Sequence, residues 1–92
     1  MREMIMCEKK IRTDNGEKLT LIYSVTIDEL YAASVVVESY GASIAARELG
    51  DVSRVRHITH RGDEIFELAS LLSSNDVTPA TLADVVDDWL CR

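Results

Sequence analysis

The segment Asp14-Asn15-Gly16, followed at once by an alternating run, narrows the fold more than any other feature of the chain. Asn-Gly is favoured at the centre of a two-residue type I′ hairpin turn, where both positions need φ > 0. After it, Leu19, Leu21, Tyr23, Val25 and Ile27 fall on one face, with Lys18, Thr20, Ser24 and Thr26 on the other. Ile22 is the exception. A period of two means a half-buried strand. Ile5, Cys7 and Ile11, at odd positions before the turn, supply the first strand of a hairpin.

Residues 28–47 are open to two readings. Asp28 is placed to cap a helix through Leu30 and Ala33, but Val35-Val36-Val37 is β-branched and Gly41 interrupts a long helix. The preferred reading is a turn near Asp28–Tyr31 and then an extended or bulged strand to about Arg47. Leu49-Gly50-Asp51 reads as a turn, and Val52 to Ile58 as a fourth strand.

The last third changes period. Ile65, Leu68, Ala69 and Leu72 have the i, i+3, i+4, i+7 spacing of one helical face, widened by Phe66 and Leu71. Thr59 and Asp63 are the candidate caps, and Asn75 suits a C-terminal αL position. Thr78 as N-cap and Pro79 at the first helical position open a second helix. Its inner face is Leu82, Val85, Val86 and Trp89. About five residues join the helices, so they are neighbours. The 92 residues make one domain, 1–92. Its expected fold is α+β: an antiparallel sheet of about four strands, then a C-terminal helical hairpin packed on one face.

The run Asn75-Asp76-Val77-Thr78-Pro79, then Leu82, Asp84-Val85-Val86-Asp87-Asp88 and Trp89-Leu90, resembles the C-terminus of a family of small uncharacterised proteins (a domain of unknown function) from clostridia-type Gram-positive bacteria. The likeness extends more loosely through Tyr40-Gly41 and Ile58-Thr59. His60, Arg61 and Gly62 stand where that family tends to have polar helix-capping residues. The resemblance implies a small bacterial cytosolic domain and carries no activity, cofactor or catalytic residue.

Charge is unevenly spread within the net −6: residues 63–92 hold seven acids against Arg92, and residues 47–62 hold four arginines against two acids. Arg47, Arg54, Arg56 and Arg61 are the candidate phosphate-facing segment, since guanidinium forks suit phosphate. No aromatic residue lies between Tyr40 and Phe66 to stack on bases, and cross-strand salt bridges to acids such as Glu8, Glu17 or Glu38 are the simpler reading. His57 and His60 are too few for a zinc site, and Cys7 and Cys91 are far from them in sequence. Two cysteines make no disulfide scaffold, and the default is reduced thiols in the cytoplasm. Asp84, Asp87 and Asp88 read as a solvated helix face, and Trp89 and Cys7 as core. Gly41 and Gly62 form no phosphate loop, and no Walker, Rossmann or nucleophile-elbow motif is present. No signal peptide or apolar span of roughly 20 residues is seen.

These observations predict no catalytic, cofactor-binding or metal residues, no cofactor and no enzyme. The expected function is a cytosolic protein-binding or regulatory module. The alternative is a nucleic-acid-associated protein using the Arg47/Arg54/Arg56/Arg61 segment. Ile22 and Val35-Val36-Val37 put apolar groups where two helices do not reach, so a protein partner or homodimer through uncovered sheet surface is expected.

Overall fold

The alternation after the Asn15-Gly16 loop is realised over a much longer strand than the turn signals imply. The computed structural model describes residues 1–92, with four strands, β1 (Arg2–Arg12), β2 (Lys18–Ala32), β3 (Val35–Ala46) and β4 (Asp51–Thr59). They form one antiparallel sheet in the order β1-β2-β3-β4, each strand paired with its sequence neighbour. Then follow α1 (Gly62–Ser74), a 3₁₀ turn at Pro79–Thr81 and α2 (Leu82–Leu90). This is the expected α+β arrangement of a four-stranded antiparallel sheet followed by two helices.

The core forms where the two periods meet. Leu21, Tyr23 and Val25 of β2, with Ala42, Ile44 and Ala46 of β3, bury the odd face of β2 and the even face of β3. Against them pack Ile65, Leu68, Ala69 and Leu72 of α1, and Leu82, Val86 and Trp89 of α2, the helical faces read from spacing. Phe66 and Leu71 do not widen the buried face of α1; both stay exposed on its flank. Three polar ties lock the helices down. The Tyr23 hydroxyl donates to the Val77 carbonyl at 2.9 Å. Lys9, on the core side of β1, donates to the Ser73 carbonyl at 2.9 Å and supplies the cation that the last turn of α1 lacks. Arg92 does the same for α2, donating to Trp89 O at 2.9 Å with its guanidinium 3.6 Å above the indole.

The connections differ from the sequence reading in instructive ways. The first hairpin is closed by three residues. Thr13 and Glu17 pair across Asp14-Asn15-Gly16, and Gly16 alone has positive φ, at 80°. That is the type I turn with a glycine bulge, not type I′. β1 carries a bulge at Met6, between the pairs Ile5↔Ser24 and Cys7↔Tyr23. It turns Ile5 to the face opposite Cys7 and leaves it 67% exposed. No turn occurs at Asp28–Tyr31. β2 runs on to Ala32, and the chain reverses at Ala33-Ser34, both with positive φ (47° and 72°). α1 starts at Gly62 with Arg61 as N-cap and no side-chain cap. Thr59 acts just upstream, accepting from Arg61 N and donating to Glu64. At the other end the αL residue is Asp76, not Asn75.

Candidate functional site

β2 and β3 outrun their neighbours. β1 pairs with β2 only as far as Arg2↔Ile27, and β4 with β3 only as far as Thr59↔Tyr40. From Asp28↔Ser39 to Ala32↔Val35 the two strands pair only with each other. They form a two-stranded arm of five residue pairs, about 17 Å long at the usual strand rise. It contributes to an elongated molecule of 52 × 26 × 17 Å.

The arm has no buried face beyond its first pair. Leu30, Ala32, Val35 and Val37 lie on one side, and Tyr31 and Val36 on the other. All are exposed, Tyr31 by 76% and Val35 by 57%. No charged residue occurs between Glu29 and Glu38. Glu29 and Glu38 are joined at the base by Arg2, which lies 2.8 Å from Glu38 and 3.9 Å from Glu29. Both outer edges of the arm carry backbone groups with no neighbouring strand. Tips turning in two residues favour Asn or Gly, because both positions need φ > 0. Here Ala and Ser hold that conformation at a cost of about 1 kcal/mol or more each.

Away from the arm, the sheet face turned from the helices is mostly polar along β2 and β3 and largely sealed there, with Ile22 and Ala45 as its apolar members on those strands. Thr20, Ser24, Thr26 and Asp28 of β2, and Ser39 and Ser43 of β3, are all buried. They are small, and long side chains from the outer strands reach across them. Arg54 of β4 donates to Glu3 of β1 at 3.0 Å, above Ser43. Arg56 donates to both oxygens of Asp28, one of them at 3.0 Å. Arg47 meets Glu8 at 2.8 Å. The stems of these residues do the covering. Exposed apolar side chains lie on the arm and at Met4 and Met6 of β1, and on the open face itself at Ile5 of β1 and Val52 of β4, which flank Ile22 and Ala45 there. Ile22 is half-buried.

The sequence candidates fall as follows. The four arginines are each ion-paired: three as above, and Arg61 with Asp63 at 3.0 Å. Arg47 takes Glu8, one of the acids named for it; the others take Glu3, Asp28 and Asp63. His57 sits in a β4 bulge with φ of 59°, its Nδ1 3.0 Å from the Ser39 hydroxyl and its Nε2 4.0 Å from Asp28. Its ring completes the Arg56–Asp28 strap. The Arg56 hydrogen bond holds the Asp28 carboxyl below the usual carboxylate range. Serine, histidine and aspartate stand in order here, but the Ser39 side chain is sealed, 1% exposed. His60 is exposed near the Glu38 carbonyl. Cys7 is half-buried, Cys91 exposed, and both are free. No three His, Cys, Asp or Glu side chains converge as a metal site would need. Asp84, Asp87 and Asp88 are exposed and unpaired, Trp89 is core, and no helix is long and apolar enough to cross a membrane.

Gly41 explains the bulge. It lies opposite Arg56-His57-Ile58, and a Cβ there would collide with the Val55 carbonyl and stand 2.7 Å from Arg56 Cα. In sequence, Gly41 reads as a break in a long helix and gives no sign of this close approach by β4. Nor does the sequence mark Leu30 and Tyr31 as arm residues, because the Ala33-Ser34 turn has no turn-forming side chain to announce it.

No curated protein and no solved structure matches the chain. A family model does, over residues 2–92: that of DUF6514, a family of unknown function. Arm, sealed polar face and helical hairpin thus all lie within the matched span, and the chain belongs to the DUF6514 family.

Proposed function

We propose that this chain is a non-enzymatic interaction module that works by self-association, its arm clasped by a second copy. The observation that carries the reading is the arm itself: six apolar side chains on two uncovered faces, with two unpaired edges. A two-fold interface must be complementary to itself. The uncharged outer part of the arm, residues 30–37, meets its own copy without like-charge contact, whereas the rest of a chain of net charge −6 does not. Area argues for a clasp over simple contact. One face of the arm offers roughly 17 × 10 Å, and a standard interface takes about 800 Å² per partner. Both faces must then be covered, with the exposed Met4, Ile5 and Met6 beside the arm's base adding to the interface.

The cellular setting in this reading is the cytoplasm of a clostridia-type Gram-positive bacterium. Its support is the C-terminal resemblance and the two free thiols. Nucleic-acid binding through Arg47, Arg54, Arg56 and Arg61 has less support, because each guanidinium already has a carboxylate.

Light scattering on the protein and on a Val35→Lys/Val37→Lys variant tests the proposal. Both positions are on one exposed face of the arm, so the body should melt unchanged. The expected result is a dimer for the unsubstituted chain and a monomer for the variant. Equal masses for the two overturn the reading.

A further inference from the structure

Seven of the ten Lys and Arg side chains have a carboxylate partner, in a chain with sixteen acids to offer. The three that have none, Lys10, Arg12 and Lys18, line a single cleft of about 410 Å³. The register explains how they gather. Lys10 pairs with Thr20 and Arg12 with Lys18, so all three cations stand at even positions on neighbouring strands and project from one face. The pairs are about 5 Å apart across the strands and about 7 Å along them. Like charges this close are unfavourable unless an anion sits among them.

Glu48 borders the same cleft, but it is already engaged. Its carboxylate accepts from the Thr20 backbone N–H at 2.6 Å and from the Thr20 hydroxyl at 2.7 Å. These bonds, the backbone one first, hold its carboxyl below the usual range. Three cations less one carboxylate leave +2, the charge that a phosphate dianion neutralises. With Thr20's donors occupied, the free recognition groups are one guanidinium fork and two ammonium points. Guanidinium grips phosphate in a two-bond fork, and lysine adds point charge. A lone carboxylate is too small and too weakly charged to engage all three. The volume falls in the range of small-molecule sites, about 300–1,000 Å³.

We propose that this cleft binds a small molecule through a phosphate or diphosphate group. The site is independent of self-association. β2 begins at the cleft and ends in the arm, so the two lie at opposite ends of the molecule.

Calorimetric titration of the full chain at low salt, with inorganic phosphate, pyrophosphate and ATP as separate probes, tests it. Saturable 1:1 binding is expected, tighter for pyrophosphate than for phosphate. ATP binding more tightly than pyrophosphate points to a nucleotide, and equal affinity to the diphosphate group alone. Arg12→Gln and Lys18→Gln should each weaken binding by about tenfold. Arg61→Gln, the same change of charge at an exposed site elsewhere, should leave it unaltered. The proposal is overturned if no probe saturates by about 10 mM, or if Arg61→Gln weakens binding as much as Arg12→Gln. It is also overturned if only long polyanions such as single-stranded DNA bind. Because all three side chains are exposed, unchanged urea midpoints will show that the variants fold.

Discussion

Replacing Gly41 with alanine tests the packing logic of the whole outer face. Gly41 is paired with Thr26 in β2 and faces the three-residue bulge of β4. A methyl group there would lie 2.6 Å from Thr26 Oγ1 and 2.7 Å from Arg56 Cα, and closer still to the Val55 carbonyl. Carbon contacts settle near 3.5–4.0 Å, so β4 must retreat by roughly 1 Å. It cannot swing a flexible tip aside, because two of the three obstacles are backbone. Retreat also pulls Arg56 from Asp28 and His57 from Ser39. Overpacking of this kind costs about 3 kcal/mol at the upper end of its usual range. With a urea m-value of about 1 kcal/mol/M for a chain this size, the unfolding midpoint falls by about 3 M. Gly62→Ala is the control, since its nearest obstacle is 3.9 Å away. A Gly41→Ala midpoint within about 0.5 M of the original would refute the reasoning.

Three further outcomes follow from the core and the arm. Trp89→Ala should cost about 3–5 kcal/mol in urea unfolding, because the ring is 7% exposed and packed with Leu82 and Val86; fluorescence like free indole in the native protein would count against this. Tyr23 should ionise late in an absorbance titration. Burial pushes its hydroxyl from 10 up to about 12, so its contribution to stability is complete below pH 10 and fades between pH 10 and 12; a Tyr23 midpoint near 10 would contradict it. Ala33→Asn with Ser34→Gly should raise stability by about 1 kcal/mol or more, because both residues hold positive φ; a loss of stability would mean that the tip is not the turn described.

What was legible in the sequence was periodicity. The odd face of β2 and the inner faces of α1 and α2 follow from spacing alone, because a buried stripe leaves the same residue types at fixed intervals whatever the tertiary detail. Features that break period were not legible. The Met6 bulge shifts Ile5 to the other face with no glycine to mark it. The Ala33-Ser34 reversal uses residues that ordinarily avoid φ > 0, so Asp28 looked like the better place to turn. The arginine segment was conspicuous in sequence, yet its charges are spent on Glu3, Glu8, Asp28 and Asp63. The cations left over, Lys10, Arg12 and Lys18, were unremarkable until the pairings were known.

Self-association through the arm is a proposal that concentration dependence can decide. Sedimentation equilibrium of the unsubstituted protein, from low micromolar to about 100 µM, tests it most directly, because association driven by mass action must grow with concentration. The expected mass rises to twice 10.3 kDa and no further, since a two-fold clasp closes on itself. A mass fixed at 10.3 kDa across that range would contradict it.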